Sequence, residues 1–133
     1  MIVLDASVMV EVLLNKLSVE RFLYRLFDPH EELHAPHLID LEAAQALRRY
    51  QASGEMSPHR ARQALLAFSE MSLERHPHWP FLDRIWELRR NLTAYDAAYV
   101  ALAEALGAPL LTCDRALALA PGHRATVELI EAQ

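Results

Sequence analysis

Four carboxylates, Asp5, Glu42, Asp96 and Asp114, stand where an apolar strand-like run ends or a helix begins. In a chain that alternates strands and helices, such points fall along one edge of the sheet, so distant residues can converge there. Like charges gathered in one place repel unless a cation sits among them. Carboxylate oxygens suit Mg2+, with Mn2+ as the alternative, and an ion of this kind keeps several waters, so a few ligands suffice. One or two such ions can bind a scissile phosphate, activate a water and stabilise the leaving oxygen. The implied chemistry is metal-dependent phosphodiester hydrolysis without a covalent enzyme intermediate. Ser7 and Thr112 lie within two residues of Asp5 and Asp114. Their hydroxyls are placed to orient those carboxylates or a metal-bound water.

Each of these residues also has a local reading. Asp5 and Asp114 fit the N-cap positions of the helices that follow them. Thr93 and Asp96 have the spacing of a capping box. Glu42, in about the first turn of its helix, would favour the helix dipole, and Asp40 competes with it as the capping or first-turn residue. Ser7 and Thr112 would serve as local backbone caps. The joint placement of four acids at one sheet edge is what favours a site.

Short runs at Ile2–Leu4, about Leu33–Ala35, Leu73–His76, Leu110–Thr112 and Val127–Ile130 read as strands. Ile2–Leu4 is apolar continuously rather than in alternation, as in sheets covered on both faces. Between them the sequence predicts helices over about Ser7–Leu14, Ser18–Phe27, Leu38–Ala52, Ser57–Met71, Phe81–Asn91, Thr93–Leu106 and from Arg115. Ser57-Pro58 is a strong start signal, and Gly54 and Gly107 fit helix C-termini. Pro77 and Pro80 keep the His76–Pro80 segment out of any helix interior. The expected fold is α/β: a single domain over residues 1–133, with a short, mostly parallel central sheet flanked by helices on both faces.

Composition removes several classes of function. Three glycines, Gly54, Gly107 and Gly122, leave no room for a phosphate-binding glycine loop or a dinucleotide fingerprint. Ser7 lacks the glycine-flanked elbow of a hydrolase nucleophile. Cys113 is the only cysteine, so no internal disulfide can form. Neither a secretory lead nor a membrane-spanning run is present, so a soluble cytoplasmic protein with no membrane partner is expected. The histidine pairs His34/His37 and His76/His78 are each interrupted by proline and lack the further ligands of a closed zinc site, so zinc is not expected. The net charge of −5 argues against nucleic acid, yet 12 of the 13 basic residues are arginine. Arginine suits bidentate phosphate contact, and Arg48/Arg49, Arg60, Arg62 and Arg89/Arg90 are clustered. Trp79 and Trp86 suit core or interface packing better than base stacking.

The segments Met1-Ile-Val-Leu-Asp5-Ala-Ser7, Glu42-Ala-Ala-Gln-Ala-Leu47, Leu92-Thr-Ala-Tyr-Asp96 through Glu104, and Leu110-Leu-Thr-Cys-Asp114-Arg115 resemble PIN-domain ribonucleases of the VapC toxin type. The resemblance covers essentially the whole chain. It implies a PIN-like fold and a Mg2+- or Mn2+-dependent endoribonuclease, with RNA as substrate and an antitoxin whose C-terminal tail covers the site. It also implies a homodimer. The family's acids map onto Asp5, Glu42, Asp96 and Asp114, and its accessory hydroxyls onto Ser7 and Thr112. Cys113 replaces a usually small residue. Helices at Val8–Leu14 and Phe22–Phe27 carry more apolar residues than one buried stripe needs, which suits either a partner or extra internal packing. Two rival readings remain at this level: a stand-alone RNA-processing nuclease, and a non-catalytic acidic groove for an arginine-rich peptide.

Overall fold

The apolar runs at Ile2–Leu4 (β1), Leu33–Pro36 (β2) and Leu110–Thr112 (β4) are buried at every residue, so both faces of each strand are covered. With Glu74–His76 (β3) and Val127–Leu129 (β5) they form one parallel sheet in the order β3-β2-β1-β4-β5 in the computed structural model. The structure describes residues 1–14 and 20–131, and side chains of 20–22 are outside that description. The expected cap Ser18 therefore lies outside the described residues, as does the side chain of the stripe residue Phe22. The strand order reverses direction between β1 and β4, which makes the carboxyl ends of those two strands the natural crevice for a ligand.

Helices cover the sheet in two groups. Ala6–Leu13 (α1), Leu38–Ala52 (α3) and Pro58–Glu70 (α4) pack on one another, while Leu82–Glu87 (α5) packs on Ala94–Leu106 (α6). Helix α6 lies against β1, β2 and β4 and buries every residue from Ala97 to Ala103, as a helix apolar on all sides must. An ion pair from Arg84 Nε to Glu104 Oε1 at 2.8 Å fastens α5 to α6. Glu20–Leu26 (α2) buries Leu26 but leaves Tyr24 86% exposed, and Phe27 just past its end is 60% exposed. The apolar excess of α1 is absorbed internally, with Val8, Met9, Val10 and Leu13 buried.

Three local expectations change. The helix expected over Phe81–Asn91 ends at Glu87 and is preceded by a 3₁₀ turn over Trp79–Phe81. Beyond it the hydrogen bonds shorten to i−3, from Arg89 N to Trp86 O and from Asn91 N to Leu88 O, so the α-helical ladder is lost. Trp79 and Trp86 are 74% and 67% exposed, which rules out core packing, and the Arg89 guanidinium sits 4.6 Å from the Trp86 ring centre. The histidines pair across strands rather than within segments: His34 meets His76, and His37 meets His78. Among the described residues no helix is long and apolar enough to cross a membrane.

Gly107 ends α6 at φ +61, and a Cβ built there would touch nothing within 4 Å. Gly107→Ala is therefore expected to cost about 1–2 kcal/mol through backbone strain alone. Denaturant unfolding checks this, and a loss well above that range would mean a packing contact at the turn.

Candidate active site

Asp5 is the first residue past β1, and the turn into α1 makes it an N-cap whose Oδ1 accepts from Val8 N at 3.1 Å. Its exposure is 6%. The Ser7 hydroxyl donates to Oδ1 and the Thr112 hydroxyl to Oδ2, so both oxygens are held. Those hydroxyls are themselves polarised, because Ser7 Oγ accepts from Cys113 N at 2.9 Å and Thr112 Oγ1 from Asp114 N at 3.0 Å. Two hydrogen-bonded relays thus join the carboxyl ends of β1 and β4 through a single carboxylate. Ser7 and Thr112 orient Asp5, and Thr112 also shapes the backbone at Asp114.

Asp114 caps Arg115–Leu119 (α7), with Oδ1 accepting from Ala116 N at 2.9 Å, while its side chain stays exposed. Asp96 sits in the first turn of α6, whose cap is Thr93, the Oγ1 accepting from Asp96 N at 3.1 Å. Glu42 projects from α3 and accepts from the Tyr99 hydroxyl at 2.6 Å. Asp40 is occupied elsewhere, paired with Arg75 of β3 at 2.8 Å. Tyr99 was not among the residues expected at the site. Its spacing of three from Asp96 puts both on one face of α6, the one signal the sequence offered.

Electrostatics tie the four acids into one field. Burial pushes the Asp5 carboxyl up to about 6 against the opposing pull of Ser7, Thr112 and Val8, and the charge of Asp96 adds to the rise. Asp96 is raised by burial and by Asp114. The Tyr99 phenol is driven far up by burial, by its bond to Glu42 and by the charges of Glu42, Asp5 and Asp96, so it stays a donor. Burial and the charges of Asp5 and Glu11 push the Cys113 thiol up to about 11, which leaves it unreactive. Among the described residues, no three of these carboxylates bring their oxygens within 4.8 Å of one another; His34, Glu74 and His76 are the one set that does. Unscreened like charges standing apart is the expected arrangement.

A groove of about 620 Å³ opens beside Glu42, lined by Ser7 and Glu11 of α1 and by Glu42, Ala46, Arg49 and Tyr50 of α3; Asp5, Asp96 and Asp114 are not among its lining residues. Of the clustered arginines, Arg49 lines this groove, whereas Arg60 donates to Leu13 O at 2.8 Å and helps close the end of α1.

The sequence matches the PIN domain family over residues 2–122. It is 43% identical to Ribonuclease VapC1 of Mycobacterium tuberculosis over 129 residues, 96% of each chain. Ribonuclease VapC12 of the same organism is 41% identical over 130 residues, 98% of this chain and 99% of the relative. PAE2754 from Pyrobaculum aerophilum superposes with a TM-score of 0.67 at 25% identity, over 95% of this chain and 81% of that one. VapBC2 from Rickettsia felis, solved bound to a DNA fragment from their promoter, shares the fold at a TM-score of 0.67 and 15% identity, over 96% and 98% of the two chains.

The raised Asp5 carboxyl carries a cost in stability whose sign is fixed by linkage. Between the ordinary value of 3.8 and about 6 the folded state holds the proton that the unfolded state has lost, so stability falls as pH rises through that window. Two units correspond to on the order of 2–3 kcal/mol, present in full above pH 6. Asp5→Asn removes the charge and keeps an acceptor for Ser7 and Val8. In metal-free protein, the stability of this variant relative to the parent is expected to improve by that amount between pH 4 and pH 7. Parallel pH-dependent urea unfolding curves for the two proteins would contradict the assignment.

Proposed function

Because this chain belongs to the PIN-domain family, with VapC ribonucleases as relatives along its length, we propose that it is a metal-dependent endoribonuclease, the toxin of a toxin–antitoxin pair. The single observation that carries the reading is the coupled acid field at the carboxyl ends of β1 and β4. In this reading Asp5, Asp96 and Asp114 hold Mg2+ or Mn2+, and Glu42 completes the set or orients the attacking water. The donors fit: all are hard oxygens, and Asp5 is buried with a raised carboxyl that a nearby cation would relieve. Such an ion supplies Lewis acidity to the phosphodiester and a more acidic water.

The remaining work falls to the chain's own groups. Ser7 and Thr112 fix both oxygens of Asp5, which limits it to one orientation. Tyr99 is a positioning residue, because its hydroxyl holds Glu42 from α6 and fixes α3 against the site. Arg49 offers a guanidinium to the phosphate of a strand lying in the groove. The same acidic groove suits the basic tail of an antitoxin in competition with RNA. A homodimer in the cytoplasm belongs to this reading, and the exposed Tyr24 of α2 and Phe27 just past its end support a subunit contact. We take residues 1–133 as one catalytic unit.

Asp5→Asn and Asp96→Asn are each expected to lower magnesium-dependent cleavage of total RNA by at least about 100-fold. Tyr99→Phe keeps the buried ring, and should lower cleavage by about 10-fold with the unfolding midpoint little changed. Cleavage by purified Asp96→Asn at the parental rate would remove the basis of the proposal.

A further inference from the structure

Two copies of one short pattern lie side by side on neighbouring strands: Glu32-Leu33-His34 leading through β2, and Glu74-Arg75-His76 forming β3. The parallel register sets His34 beside Glu74 and Pro36 beside His76. Alternate residues of a strand emerge on the same side, so His34, Glu74 and His76 share one face. His34 Nδ1 lies 2.8 Å from His76 Nε2 and 3.6 Å from Glu74 Oε2. These three donor atoms all stand within 4.8 Å of one another.

We propose that His34, His76 and Glu74 form a binding site for a divalent transition-metal ion of the zinc class, distinct from the acidic edge, which pins the edge strand β3 to β2. Around a tetrahedral ion with bonds of about 2.0–2.1 Å, neighbouring donors stand roughly 3.3 Å apart. The two distances from His34 Nδ1, 2.8 and 3.6 Å, bracket that separation, and the third pair lies within 4.8 Å, so rotation of the exposed Glu74 side chain brings the set together. The second nitrogen of His34 faces Glu32 Oε2 at 3.1 Å. A carboxylate in that place accepts from the Nε2–H and leaves the Nδ1 lone pair for a metal, the arrangement found behind most metal-binding histidines. Two imidazoles with one carboxylate favour zinc-like ions over magnesium, which separates this site chemically from the four acids. His34 is buried and therefore fixed, while the Glu74 side chain is 65% exposed and leaves a route for the ion.

The test is calorimetric titration of zinc chloride into the full chain carrying Asp5→Asn and Asp96→Asn, a background in which the acidic edge has lost two of its groups. One zinc per chain is expected. Adding Glu74→Gln or His76→Gln should weaken binding by at least about 10-fold, and Glu32→Gln by about 10-fold through its hold on His34. Cobalt(II) in the same background should develop the visible absorption of a site with nitrogen ligands and few waters, and His76→Gln should abolish it. Glu74 is exposed, so its substitution leaves the fold in place and keeps the test decisive. Absence of zinc uptake would overturn the proposal, leaving the cluster a hydrogen-bonded histidine pair. Binding as tight as the parent's in either Glu74→Gln or His76→Gln would overturn the ligand set.

Discussion

A buried carboxylate bridging two strand ends is the constraint around which this molecule is arranged. Asp5 has almost no access to water, yet both its oxygens are held by hydroxyls that answer to the backbone of the β4 turn. Removing a charge from water is unfavourable, and hydrogen bonds from hydroxyls and an amide recover part of the loss. The carboxyl still ends up raised, so desolvation outweighs the three donors. The chain keeps an unfavourable group at the point where its strand order reverses, the behaviour of a site whose stability is subordinate to its chemistry.

That arrangement needs a rigid support, and α6 provides it. Seven successive buried residues, Ala97 to Ala103, anchor the helix on the sheet. From its first turns it presents Asp96 toward Asp5 and Asp114, and Tyr99 toward Glu42. The alanines matter because they let the helix axis approach the strands closely without voids. The far end is fixed as well, since Glu104 receives Arg84 from α5 and the Arg124 backbone amide at 2.6 Å. Rotation of α6 about its axis would therefore break polar contacts at both ends before it moved Asp96.

Much of this was legible in the sequence because it depends on local chemistry. Ser57 and Thr93 cap their helices as their identities demand. Asp5, Asp96 and Asp114 follow from strand ends and caps, positions that short-range patterns locate, and the α/β fold follows from the alternation of apolar runs with helices. What escaped depends on register. No local pattern says that Tyr99 will reach Glu42, 57 residues away. Nor does one say that His34 will meet His76 rather than His37, since that follows from pairing β2 with β3. The tryptophans stay out of the core for another reason. Their size suggests burial, but Trp79 lies in a short 3₁₀ turn flanked and entered by Pro77 and Pro80, and Trp86 sits on the solvent side of α5 against the Arg89 guanidinium.

The edges of the sheet follow a different rule from its centre. β1 is apolar along its length and β4 up to its last residue, Thr112, and neither carries a charge within the strand, so charge is met only beyond the carboxyl end. β3 instead carries Glu74, Arg75 and His76 through its whole length. An outer strand has one unpaired side, and charged side chains there discourage pairing with another chain. In β3 the polar residues are also engaged: Arg75 pairs with Asp40 at the start of α3, and His76 meets His34. Asp40 is thereby withdrawn from the acid field, which leaves Glu42 as the α3 carboxylate facing α6. Two residues apart on α3, the two acids face different sides of the helix, Asp40 toward the polar edge strand and Glu42 toward α6.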